Sequence, residues 1–222
     1  MPKGYKWRKV TAAEMPTIRV ETVSQNDKAS LAVRMGGRSI TEFKRDIRKY
    51  TRYEDESIRA FQCAWNSNWN ERYEKEKQII SVEDTGVDNT GELVMDARDL
   101  SPMPDYQVCF SDGTKKMIEV KTYIGFKWWK KCLFKYCSTQ SCIYHHADIL
   151  IVWENGCILI PTKCLIEIAK IKPSIYKWYA HTHAHMIENK LLQKWCRDGL
   201  CTYFKWSPII QQKMRTMYFG KK

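Results

Sequence analysis

Asp105, Glu119 and Lys121 stand within one short stretch, PDYQVCFSDGTKKMIEVKTY, residues 104–123. Two acids and a lysine lie here among apolar residues, and buried charges cost free energy unless they bind one another or a ligand. The stretch reads as a hairpin. With Ser111-Asp112-Gly113 as a three-residue loop, Gly113 takes the third position, where a positive φ is needed. Phe110 then pairs with Thr114, and Asp105 falls opposite Glu119. Opposed residues share a face of a sheet, and so do residues two apart along a strand. Asp105, Glu119 and Lys121 therefore point one way, while Ile118 and Val120 turn to the apolar side. A two-residue loop would turn Asp105 to the other face.

Two carboxylates about 5 Å apart repel each other unless a cation lies between them. Oxygen-only ligands at that spacing suit Mg²⁺ or Mn²⁺, which keep positions open for water and phosphate. The lysine adds positive charge near a nucleophilic water or a phosphate. A metal in such a site lowers the pKa of its water and polarises a phosphoryl oxygen, the parts of a phosphodiester hydrolase.

The elements that must position these residues are legible on either side. Upstream, SITE (Ser39 to Glu42) is a capping box that starts a helix, with Phe43, Ile47 and Tyr50 at helical spacing. TRYE (Thr51 to Glu54) repeats the pattern and predicts a second helix start. Ile58, Phe61 and Trp65 form one stripe, and Glu54, four residues before Ile58, falls on it. Glu56 lies almost opposite. Residues 76–83 predict a strand, 84–103 a turn-rich loop, and 126–144 a basic, aromatic helix. ADILIVWENGCILIPT (147–162) predicts two strands joined at Glu-Asn-Gly. KCLIEIAKI predicts a short helix ending before Pro173, and a longer helix is expected at about 174–197, stopped by Gly199. Residues 1–38 read as an N-terminal arm or small outer hairpin, and 173–222 as a basic, aromatic, helical segment. The whole predicts an α/β sandwich with a mixed central sheet.

Composition narrows the partners. The chain has 222 residues, 44% of them apolar, and a formal net charge of +12. No run approaches the roughly 18 residues that cross a bilayer, and the basic N-terminus lacks a signal peptide's apolar stretch. The nine cysteines are odd in number, scattered, and without a CxxC pair. These features predict a soluble protein of a reducing, intracellular compartment. Cys132, Cys137 and Cys142, followed by His145 and His146, fit core thiols better than zinc ligands. His181, His183 and His185 of HTHAH would share a face on a strand and fan out on the helix expected here. Lysine and arginine interleave with Trp, Tyr and Phe, a pattern that suits phosphates and stacked bases. In KWWKK, Lys127, Lys130 and Lys131 are candidates for contacting a nucleic-acid backbone, beside the reading of a solvated basic face. The glycines form no nucleotide-phosphate loop.

Pro104-Asp105 followed by Glu119-Val120-Lys121 resembles the motif of the PD-(D/E)XK nuclease superfamily. The likeness covers about residues 50–155. The layout from helix to IEVK is most similar to the N-terminal domain of the transposon endonuclease subunit TnsA and its relatives. The resemblance implies a restriction-endonuclease-like nuclease core over residues 39–172, with Mg²⁺ or Mn²⁺ held by Asp105, Glu119 and the Val120 carbonyl. It implies that Lys121 aids the attacking water and that Glu54, on the preceding helix, completes the set. The expected activity is metal-dependent DNA endonuclease cleavage, in transposition, restriction, homing, junction resolution or viral genome processing. An RNA endonuclease of the same fold and a non-catalytic nucleic-acid-binding module are the alternatives. Cutting both strands usually takes two sites, hence a homodimer or a partner protein.

Overall fold

A computed structural model describes residues 39–67, 77–85, 103–122, 131–176 and 182–220. The arm or hairpin expected at 1–38 and most of the loop expected at 84–103 lie outside them. The elements, in chain order, are α1 (Ile40–Asn66), β1 (Ile79–Asp84), β2 (Tyr106–Phe110), β3 (Lys115–Thr122), β4 (Lys131–Lys135), α2 (Tyr136–Tyr144), β5 (Asp148–Trp153) and β6 (Gly156–Ile160). They continue with α3 (Thr162–Ala169), β7 (Ser174–Tyr176), β8 (Thr182–Glu188), α4 (Asn189–Arg197), β9 (Thr202–Lys205) and α5 (Pro208–Phe219). A six-stranded sheet runs in the order β1-β2-β3-β5-β6-β9, and a second, three-stranded sheet runs β4-β8-β7. In the large sheet only β3 and β5 pair in parallel. The chain is thus an α/β protein with a mixed central sheet.

α1 starts at the expected capping box. Ser39 Oγ accepts from the Glu42 N–H at 3.2 Å, and Glu42 Oε2 accepts from the Ser39 N–H at 2.9 Å. The second start expected at Thr51 does not occur. No proline or glycine interrupts α1, and extending a helix is easier than nucleating another. Ile58, Phe61 and Trp65 are buried in the core as the stripe predicts. The far end of α1 is tied to the sheet edge. Asn66 donates to the Ile79 carbonyl and accepts from its N–H, both at 2.8 Å, and Trp65 Nε1 donates to the Lys77 carbonyl at 2.7 Å. These side chains meet backbone groups that an edge strand leaves open.

Two expected helices are corrected. Residues 131–135 form β4, where Cys132 and Phe134 are buried and Lys135 is exposed, an alternation of period two. Among the described residues of that segment, 136–144 are helical. The helix expected at 174–197 is β7, β8 and the shorter α4. Helix-forming Ala184, Met186 and Glu188 are held extended by pairing with β4, some fifty residues earlier, so partner contacts override local propensity. The stop at Gly199 does occur. Its φ is +70°, Leu200 N–H donates to the Trp195 carbonyl at 2.8 Å, and Gly199 N–H donates to that of Cys196 at 3.2 Å.

The C-terminal segment completes the core. Phe204 of β9 is fully buried, with its ring centroid 5.2 Å from Phe61 and 5.6 Å from Trp65 of α1. Tyr218 of α5 lies against Tyr53 at 4.1 Å and within 3.3 Å of Ser57 Oγ. Among the described residues, no helix is long and apolar enough to cross a membrane. The eight described cysteines are free thiols.

Candidate active site

The hairpin has the register that the three-residue loop dictates. Tyr106 pairs with Ile118 and Cys109 with Lys115, and Phe110 N–H donates to the Thr114 carbonyl at 2.9 Å. Gly113 has φ +81°, the conformation for which glycine is suited. Asp112 steadies the turn by accepting from the Thr114 N–H at 2.9 Å. Carried one pair further, this register sets Asp105 against Glu119. There Asp105 Oδ2 accepts from the Val120 N–H at 2.7 Å, and its own carbonyl accepts from Thr85 N–H at 3.2 Å. Asp105 is therefore clamped from both sides, by β3 and by the residue that follows β1.

Ile118 and Val120 are buried and Lys121 is partly open, as alternation requires. Glu119 is only 9% exposed and is ion-paired with the Lys121 ammonium. Tyr106, on the Ile118 side, donates its hydroxyl to Asp55 Oδ1 at 2.7 Å, which locks β2 to α1 one residue from Glu54. Glu54 is half-buried and electrostatically in touch with Lys121, Glu119 and Asp55.

Burial dominates the protonation of the acids. It pushes Glu54 up to about 7; the charge of Lys121 opposes this and Glu119 adds to it. Burial likewise raises Asp105 well above the usual carboxylate range, helped by Glu119, while Lys121 and the Val120 N–H oppose it. For Lys121, burial favours the neutral amine, but Glu119, Asp105 and Glu54 outweigh it and hold the proton more tightly than in water. Three carboxylates thus crowd around Lys121 in a poorly hydrated place, and two of them, Glu54 and Asp105, hold protons more readily than in water.

Clustered carboxylate oxygens match a hard divalent cation in kind. Among the described residues, however, no three His, Cys, Asp or Glu side chains converge as a metal cage. Lys121 sits on Glu119, and Asp105 is turned to the Val120 N–H. The donor chemistry fits a metal, with the lysine holding the cation's part in this arrangement.

The other expected residues separate from this cluster. Glu56 faces α5, where Lys213 Nζ lies 2.6 Å from its Oε2, so helical phase puts Glu54 and not Glu56 at the cluster. Lys127 and Lys130 lie outside the described residues, and Lys131 opens β4 opposite Glu188. Cys132 is on a strand, Cys142 is buried in α2, and Cys132 Sγ bonds Asn189 Oδ1 at 2.9 Å, so these thiols are packed apart. His183 and His185 of HTHAH lie on β8 rather than on a helix. His181 lies outside the described residues, while His185 is buried with Nδ1 2.7 Å from the Ile171 carbonyl oxygen.

The tertiary structure adds residues that carry no signal in the sequence. Lys135 of β4 brings positive charge toward Glu54, and no local pattern links the two. Asp148, buried at the start of β5, accepts from the Thr162 N–H at 2.8 Å and pairs with Lys116 Nζ at 3.1 Å. It joins the hairpin to the start of α3. Comparison with protein-family models, with curated proteins and with solved structures finds no match for this chain.

Proposed function

We propose that this chain is a divalent-metal-dependent DNA endonuclease of the PD-(D/E)XK type on a restriction-endonuclease-like fold. The observation that carries the reading is the gathering of Asp105, Glu119, Lys121 and Glu54 from β3, the β2 entrance and α1 into one electrostatic cluster. The order α1, β1, β2, β3, α2, β5 is the order that the resemblance implies, with β4 inserted.

Asp105, Glu119, Glu54 and the Val120 carbonyl are the groups that would hold Mg²⁺ or Mn²⁺, whose part is to acidify water and polarise the phosphoryl group. Lys121 keeps its proton at neutral pH, so it serves as a donor of hydrogen bonds and positive charge, not as a base. Its ammonium steadies either the developing charge on phosphate or the attacking water. Tyr106 and Asp55 fix the helix that carries Glu54, and the Val120 N–H aims Asp105.

The test is cleavage of labelled duplex, single-stranded and branched DNA, and of RNA, with Mg²⁺, Mn²⁺ or EDTA. Cleavage of DNA that needs the metal is expected. Lys121→Ala should lower the rate by about 10²–10³-fold, the scale of losing one preorganised charge at the reacting group. Asp105→Ala should lose at least as much. Activity that survives both substitutions and EDTA would refute the site. Preference for RNA would move the substrate, and no cleavage of any substrate would leave a binding module. Glu54→Ala should abolish cleavage while Glu56→Ala largely retains it; the reverse overturns the assignment of the helix acid.

A further inference from the structure

We infer that the groove between α1 and α5 is a second, non-catalytic contact for the phosphate backbone of nucleic acid. It encloses about 850 Å³ and is lined by Arg48, Lys49 and Arg52 of α1, by Lys213 and the apolar Ile209 of α5, and by one acid, Glu56. Lys213 pairs with Glu56 at 2.6 Å, and the lining as a whole sets four cations against that single acid. Lys49 lies over the ring of Tyr53, another residue of the lining, 5.5 Å from its centroid.

The charge is arranged as a line. Lys44, Arg48 and Arg52 follow at i, i+4 and i+8, one row on the helix surface, and Arg45 and Lys49 form the row beside it. All five are exposed. A row of cations along a concave wall matches a polymer with regularly repeated anions better than a single small anion. An acidic peptide is the competing occupant. Nucleic acid is favoured because the row from Lys44 to Arg52 runs eight residues, about 12 Å along α1, long enough to meet successive phosphates of a strand; its next position is Glu56, on the face of α1 opposite Glu54. The chain's net charge of +12 points to the same partner.

Binding tests this without cleavage, so it stands or falls separately from the nuclease reading. Fluorescence anisotropy of a labelled duplex of about 20 base pairs with the full chain, in EDTA, is followed across roughly 50–200 mM salt. Lys170→Ala, at an exposed site away from the groove and the acidic cluster, is carried in parallel and should bind as the wild type does. The double variant Lys49→Ala, Arg52→Ala is expected to bind about tenfold more weakly. Its slope of log K against log salt should be shallower by about 2, near 0.9 for each phosphate that is no longer neutralised. Lys49→Arg with Arg52→Lys should keep the wild-type slope. Ile209→Glu puts a negative charge at a site 83% exposed, where folding is insensitive, and should weaken binding at least about threefold. A folded double variant with wild-type affinity and slope, an unchanged Ile209→Glu variant, or tighter binding of labelled poly-glutamate than of the duplex overturns the inference.

Discussion

At the scale of single residues, Glu54 is the group whose protonation the fold changes most usefully for measurement. Its folded-state pKa is about 7, against the ordinary 4.5. Between those values the native state holds a proton that the unfolded chain has released. Stability therefore falls as pH rises from about 4.5 to 7 and stays at the lower level above. In EDTA, Glu54→Gln removes this penalty. It is expected to raise Tm by about 2–4 °C at pH 8, equivalent to on the order of 1 kcal/mol once partial hydration is allowed for, and by almost nothing at about pH 4.5. Thermal melts across pH check it, and a gain confined to low pH would reverse the sign. The same crowding of carboxylates predicts a response to cations. Saturating Mg²⁺, near roughly 100 times its Kd, should add about 2.7 kcal/mol, or about 5–10 °C in Tm, through linkage. Asp105→Asn should lose most of that gain, which scanning fluorimetry reads directly.

At the scale of elements, the hairpin is where local rules suffice. The Asp-Gly turn, the positive φ at Gly113 and the period-two alternation all act within one short stretch, so the sequence alone makes Asp105 the partner of Glu119. The helical phase of Glu54 is legible for the same reason, since α1 is uninterrupted. β4 and β8 are not legible, because each is held by the other across some fifty residues and neither carries a strong turn signal. Close approach between elements makes a further prediction. A Cβ on Gly156, at the start of β6, would crowd the Phe204 carbonyl oxygen and lie 2.8 Å from the Tyr203 ring of β9. Gly156→Ala should therefore push β9 away and cost about 1–3 kcal/mol, measured by urea unfolding. Gly113→Ala meets no atom within 4 Å. Its cost should come from the left-handed backbone alone, about 1 kcal/mol.

At the scale of the whole molecule, the chain past Gly199 belongs to the core. β9 pairs with β6, Phe204 fills the space against Phe61 and Trp65, and Tyr218 reaches Ser57. Phe204→Ala should cost about 3–5 kcal/mol, and removal of residues 200–222 should abolish cooperative unfolding. A truncated chain that still melted in one sharp transition would show the core to be complete without β9. Tyr218 also ties α5 to the part of α1 that carries Glu54, so damage here should lower activity and stability together.

By itself the sequence determined the hairpin register, the phase of α1, the sheet's central strands and the basic character of the chain. Each of these is set by spacing between neighbours in the chain, by turn chemistry or by charge count. Only the tertiary structure decided that Lys121 rests on Glu119, that Lys135 comes up beside Glu54, and that α5 turns a basic row of α1 into the wall of a groove. It also decided which residues pair in the second sheet. Those outcomes depend on distant segments burying apolar area together, and that sum is not written in any local pattern.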